Sequence, residues 1–226
     1  RDVAPSRGLG DVYKRQDLTF GLMLAVARNI VSTNRWVHEG RWQTAIGVDV
    51  CGKTLGLMGF GAIAKNVARR ASGFGMKVLA YDPYVKELPE EFQSYVTLCG
   101  ENEVISGCDF LSLHLPLNDE TRNMISAPQL ASMKAGAYVI NAARGGIVNE
   151  KDLYEALVSG HIAGAAMDVS EVEPMAKENP LRTLDNVIIT PHIGMYSKEA
   201  IGAVSLICAQ NVAACAAGAE LKFQVV

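Results

Sequence analysis

The sequence has no block of like charge, no internal repeat and no low-complexity linker. Lys and Arg number 21 against 24 Asp and Glu, a formal net charge of −3, so the basic excess of a nucleic-acid binder is missing. The five cysteines (Cys51, Cys99, Cys108, Cys208, Cys215) form no CxxC pair and no Cys/His ligand spacing. They read as reduced, packed thiols of a cytoplasmic protein, and no metal site is expected. The longest apolar run lies within "LTFGLMLAVA" (18–27), too short to span a bilayer, and no signal-peptide pattern opens the chain. No membrane partner is expected.

What remains is ordinary for a folded protein: 226 residues, 49% hydrophobic and 20% charged, enough for one or two cored domains. Residues 1–16, "RDVAPSRGLGDVYKRQ", have neither helical nor strand periodicity and are read as a non-native leader. Beyond them, short apolar runs alternate with helical stretches. Strands are expected at 54–58, 77–81, 95–98, 109–115, 137–141, 163–169 and 186–190. Several are apolar on both faces, as central parallel strands covered by helices should be. Helices are expected at 62–72, at 127–133 and after Asn149, a good N-cap. Ile201, Val204, Cys208 and Val212 recur at helical spacing, so 197–217 reads as a C-terminal helix packing on the body. The alternation predicts an α/β doubly wound parallel sheet, a Rossmann-type fold.

"TLGLMGFGAIAKNVARR" sets Gly59, Gly61, Ala62, Ile63 and Ala64 between a strand and a helix. The first glycine permits a tight turn, and the second lets backbone approach a pyrophosphate resting on the helix N-terminus. Ala64 takes the place of the usual third glycine. The next strand ends in Asp82, where an acid can accept from a ribose 2′-hydroxyl and would repel a 2′-phosphate. No Arg follows it, so NAD is expected in preference to NADP. Asp82 as a plain turn residue before Pro83 is the bland alternative.

Four polar residues fall at carboxyl ends of expected strands: Arg144 after "AYVIN", Asp168 ending "AGAAMD", Glu173 in "DVSEVEP" and His192 in "TPHIG". Singly, each could be a satisfied loop residue. Together they suit hydride chemistry on a 2-hydroxy or 2-keto acid. A histidine takes or returns the hydroxyl proton, a carboxylate steadies the imidazolium, and a guanidinium grips the substrate carboxylate.

"GKTLGLMGFGAIAKNVARRA", "LSLHLPLNDETRNMI", "MKAGAYVINAARGGIVNEKDLYEAL", "AAMDVSEVEP" and "NVIITPHIG" together resemble the D-isomer-specific 2-hydroxyacid dehydrogenase family, nearest its phosphoglycerate subgroup. The resemblance implies that Arg144 binds and polarises the substrate, and that Glu173 pairs with His192, the general acid/base. It implies that Asp168 holds the nicotinamide carboxamide, that Ala62 and Ile63 offer backbone to the pyrophosphate, and that Pro116, Thr121, Ala142 and Ala143 line the cofactor site. Gly194 would close over the nicotinamide.

The resemblance further implies a linking and dimerisation helix at 17–40, hence a homodimer. It places an NAD-binding domain at 41–193 and, at 194–226, a helix returning to a second, flavodoxin-like domain. Most of that second domain is expected to be missing, which would leave apolar surface exposed on the return and allow NAD binding with little or no turnover. Met195–Tyr196 departs from the small residues of the phosphoglycerate subgroup, which puts substrate identity in question. Glyoxylate or hydroxypyruvate reduction is the enzymatic alternative; an NAD-responsive corepressor-like module is the non-catalytic one. Formate dehydrogenation fits less well, since that relative carries an amide where Glu173 stands.

Overall fold

Seven strands, β1 (Thr54–Met58), β2 (Lys77–Tyr81), β3 (Val96–Leu98), β4 (Phe110–Leu113), β5 (Ala137–Asn141), β6 (Ile162–Met167) and β7 (Val187–Ile189), form one parallel sheet. This computed structural model describes residues 15–219. The strand order is β3-β2-β1-β4-β5-β6-β7, so the chain reverses direction across the sheet between β1 and β4. Ligands of such folds bind outside the carboxyl ends of the strands at that switch point.

The strands are apolar on both faces because helices cover both. Leu55 and Leu57 of β1 and Ile140 of β5 face a cluster shared with α1 (Gln16–Ala27) and α3 (Ala62–Gly73), including Phe20, Met23 and Val67. Met58, Val139 and Met167 face the other way, onto α4 (Glu101–Gly107), α5 (Ala127–Ser132) and α6 (Glu150–Val158), through Ile105, Leu130 and Leu153. Fully burying a side chain of this size contributes about 1.5–3 kcal/mol, so two such layers supply the main favourable term.

Strands β1, β2 and β5 match their expected limits, whereas β3, β4, β6 and β7 stop short at one or both ends. Helix α4 was not anticipated. Its start is fixed by Glu103, whose Oε2 accepts the Gly100 N–H (2.8 Å), and Val104 and Ile105 supply its buried face. Seven residues give too short a repeat for periodicity to register.

The expected helix at 17–40 is two helices, α1 and α2 (Ile30–His38), broken at Asn29, which takes a left-handed φ of 53°. The break is set from a distance. Val48 N–H donates to Ala27 O (2.8 Å), and Asn29 Nδ2 donates to Ile46 O (3.1 Å). A Cβ on Gly47 would lie 2.5 Å from Ala27 O, so only glycine allows this backbone-on-backbone contact.

The C-terminal helix α7 (Lys198–Ala216) forms, capped by Ser197, but it does not pack on the body as expected. Ala200 is its one buried residue, while Ile201, Leu206 and Val212 face solvent. Among the described residues it is the one helix long and apolar enough, by length and composition alone, to cross a membrane. No uninterrupted apolar run marks it in the sequence, because scattered Ser, Gln and Asn break the run without removing its apolar character.

Residues 1–14 of the expected leader lie outside the described residues, as do 220–226 of the expected return. Gln16, also assigned to the leader, begins α1 and is buried.

Candidate active site

At the carboxyl end of β1, Gly59 adopts φ +91°, and its N–H donates to Tyr81 O (2.7 Å). A Cβ there would sit 2.6 Å from His114 O, so the turn requires glycine twice over, for conformation and for space. Gly61 is different: a Cβ would meet nothing within 4 Å, so open space lies above the first turn of α3. Ala62 is exposed and Ile63 half-buried in that turn, where unpaired N–H groups and the helix dipole favour an anion. Ala64 is fully buried beneath them and takes the third glycine's place in the helix–sheet contact.

Asp82 directly follows β2 and braces this turn. Its Oδ2 accepts the Phe60 N–H (2.8 Å) and its Oδ1 the Tyr84 N–H (3.0 Å). After β4, Thr121 is buried and donates from Oγ1 to Pro116 O (2.7 Å) while accepting the Asn118 N–H (2.9 Å). That closes the 116–121 turn. His114 lies between, its Nε2 2.9 Å from Ser112 Oγ. Burial, and secondarily the Arg15 charge, pushes its imidazole down to about 3.

The other half of the edge carries charge. Asn141 folds the loop after β5: its Oδ1 accepts the Ala143 N–H (3.1 Å) and its Nδ2 donates to Arg144 O (3.0 Å). Ala142 and Ala143 are buried. Arg144 Nη1 donates to Ala143 O (2.8 Å), and Arg15 Nη1 reaches the same carbonyl (3.2 Å). A cation-rich loop of this kind suits a carboxylate.

Glu173 and His192 meet, Oε2 to Nδ1, at 2.8 Å, both about 40% exposed. An ionised Glu173 can only accept, which puts the proton on Nδ1 and leaves Nε2 to work on a ligand. His192 has φ +54°, a conformation that bulky side chains rarely hold and that here turns the ring toward Glu173. Asp168, 1% exposed, fixes the loop around it. Its Oδ1 accepts from Thr190 Oγ1 (2.6 Å) and Ile193 N–H (2.8 Å), its Oδ2 from Gly194 N–H (2.8 Å). A cavity of about 580 Å³ flanks β7, lined in part by Glu173, His192, Asp168, Met175 and Val31.

The fold thus gathers Arg144, Asp168, Glu173, His192 and Gly194 beyond β5–β7, and Gly59, Gly61, Ala62, Ile63 and Asp82 beyond β1–β2. Pro116 and Thr121 follow β4, between the two groups. Sequence reasoning missed Gly145, where a Cβ would fall 1.8 Å from Ser170 O, fusing the Arg144 loop to the loop bearing Glu173. The doubled glycine of "RGG" was its only trace. Among the described residues no cluster of His, Cys, Asp and Glu could hold a metal ion.

Comparison with known proteins places the chain among dehydrogenases. Residues 20–194 match the family model for the D-isomer specific 2-hydroxyacid dehydrogenase NAD-binding domain. The chain is 45% identical over 198 residues to a D-3-phosphoglycerate dehydrogenase of Methanocaldococcus jannaschii, covering 87% of this chain and 38% of that protein. It is 46% identical over 190 residues to a hydroxypyruvate reductase of Thermotoga maritima, covering 81% of this chain and 60% of that one. Among solved structures, D-lactate dehydrogenase with NAD+ from Lactobacillus jensenii superposes with a TM-score of 0.84 at 30% identity, over 99% of this chain and 70% of the other. The chain therefore spans less than two thirds of the length of these two curated relatives.

Proposed function

Because the chain belongs to the D-isomer-specific 2-hydroxyacid dehydrogenase family and contains its NAD-binding domain, we propose that the whole protein interconverts a D-2-hydroxy acid and its 2-keto acid with NAD. The observation that carries this reading is the 2.8 Å Glu173–His192 pair, set beyond the same sheet edge as Arg144. Bound NAD supplies the hydride acceptor. The open space over Gly61, the first turn of α3 and the Asp82 carboxylate fit its pyrophosphate and ribose. Gly59, Gly61, Ala62, Ile63 and Asp82 hold the adenosine and pyrophosphate end. Pro116, Thr121, Ala142, Ala143, Asp168 and Gly194 complete the site toward the nicotinamide.

Arg144 grips the substrate carboxylate and draws charge toward the carbonyl oxygen. His192 Nε2 takes the hydroxyl proton during oxidation and returns it during reduction. Glu173 holds the ring in the productive tautomer and stabilises the imidazolium. In this reading Asp168 also works through the backbone, keeping Ile193 and Gly194 in place beside His192.

The proposed substrate is 3-phosphoglycerate, supported by the relative from M. jannaschii. Hydroxypyruvate is the second reading, supported by the T. maritima relative. Comparing kcat/KM for 3-phosphoglycerate, glycerate and lactate in a full-length protein separates them. Arg144→Ala in that protein should abolish turnover while NAD affinity is retained; surviving turnover would remove Arg144 from the site.

A cytoplasmic homodimer belongs to the same reading. Its support is the apolar surface that Ile30, Val31, Val37, Trp42 and Ile46 present to solvent on α2 and the segment after it. Analytical ultracentrifugation that finds only monomer would refute it.

A further inference from the structure

Glu150 and Glu171 take no part in the chemistry above, yet they are bonded in an unusual reciprocal way. The Glu171 N–H donates to Glu150 Oε1 (2.6 Å), and the Glu150 N–H donates to Glu171 Oε1 (2.8 Å). Each carboxylate holds the other residue's backbone. Glu150 is 9% exposed at the first turn of α6, where the helix dipole favours a negative charge. Its second oxygen, Oε2, accepts from Asn179 Nδ2 (2.6 Å). Asn179 in turn has its Oδ1 committed to the Leu181 N–H (3.0 Å), so its amide cannot turn over without losing that bond.

This clasp ties two loops into one block. Residue 171 lies one position past Ser170, whose carbonyl is pressed against Gly145, and two before Glu173. Ser170 N–H also donates to Glu173 Oε1 (3.2 Å). On the other side, Glu150 follows directly from the loop that carries Arg144 and Gly145. The main chain near Arg144 and the main chain near Glu173 are therefore held together at two points, by the close Gly145–Ser170 contact and by the Glu150–Glu171 bonds.

We propose that Glu150 and Glu171 are positioning residues whose reciprocal carboxylate–amide clasp sets the register between the Arg144 loop and the Glu173–His192 pair. This rests on the reading of Glu173 and His192 as the proton relay. The charge-assisted bonds to backbone N–H suit the task because they fix the main chain and not merely a side-chain rotamer.

The test uses the chain as it stands and needs no turnover. Imidazole 15N chemical shifts report the His192 tautomer. The unmodified chain should show the Nδ1–H form held by Glu173. Glu171→Ala, at an exposed position, should move the His192 signals toward a tautomer mixture and speed amide exchange at Glu150 by roughly tenfold, the loss of about one hydrogen bond. Glu171→Gln keeps an acceptor for the Glu150 N–H and should restore the parent signature. Glu150→Gln sets an NH2 against the Glu171 N–H or the Asn179 Nδ2 donors and should behave like Glu171→Ala.

His161, whose Nε2 contacts Met133 O (3.1 Å) beyond the other end of α6, serves as the internal control and should not move. An unchanged His192 signature in Glu171→Ala overturns the clasp alone. A parent chain without the Nδ1–H form overturns both the clasp and the relay. Equal disturbance of His161 would show general destabilisation and likewise refute a positioning role.

Discussion

The two halves of the sheet's carboxyl edge are built by opposite means. Beyond β1 and β2 the site is mostly backbone and empty space: Gly59 turns, Gly61 faces nothing, and one carboxylate, Asp82, holds the turn. Beyond β5 to β7 it is crowded with charge, and almost every charged group is bonded to main chain. Asp168 takes two backbone amides of the His192 loop, and Glu150 and Glu171 take one from each other. The contrast follows from the ligands each half would serve. A pyrophosphate needs N–H groups and room. A proton relay needs side chains fixed to within a few tenths of an ångström, which loops achieve only when their backbones are tied.

The sharpest way to break this contrast is to disable one half and read the other. In a full-length protein, His192→Asn should lower kcat by roughly 10²–10⁴-fold, the usual range for losing a general acid/base, with NAD affinity measured by fluorescence titration left unchanged. A parallel loss of NAD binding would mean that the halves are not separate.

Gly59→Ala should show the reverse pattern at smaller amplitude. The methyl meets His114 O at 2.6 Å and the residue must keep φ +91°, so a cost of about 1–3 kcal/mol is expected. Both NAD affinity and the urea midpoint should fall. Normal NAD binding in this variant would show that the turn can relax without harm.

A third test concerns pH and the loop after β4. The His114 imidazole is pushed from 6.5 down to about 3 in the folded chain, first by burial and then by the Arg15 charge. The unfolded chain therefore binds a proton that the folded chain refuses. His114's contribution to stability is complete above pH ~6.5. It declines as pH falls toward about 3, at no more than ~1.4 kcal/mol per pH unit. Urea unfolding between pH 4 and 7 should show a shallower pH dependence for His114→Asn than for the parent chain. Equal slopes would mean that other groups dominate.

Legibility in the sequence follows the same division. The glycine turn was readable because conformation restricts its residue types, and β1, β2 and β5 because uninterrupted apolar runs mark buried parallel strands. Arg144, Asp168, Glu173 and His192 were readable as strand-end charges, and the structure gathers them beyond β5–β7. What ties them in place was not. Glu150 reads locally as an acid suited to a helix start, and Glu171 as one more acid in "SEVEP"; their pairing spans 21 residues and exists only once β6 lies beside β5. The break at Asn29 was hidden for the same reason, since residues 46–48 impose it. Helix α7 shows the converse limit: its periodicity announced a helix but carried no information about what, if anything, would cover it.

The sheet's two outermost strands bear on how the chain behaves at high concentration. β3 and β7 are only three residues each, so either rim offers too few unpaired amides to recruit a strand from another molecule. Self-association beyond the proposed dimer should therefore be helical, through the exposed apolar residues of α7, and reversible by mild detergent, with strand addition at either rim disfavoured.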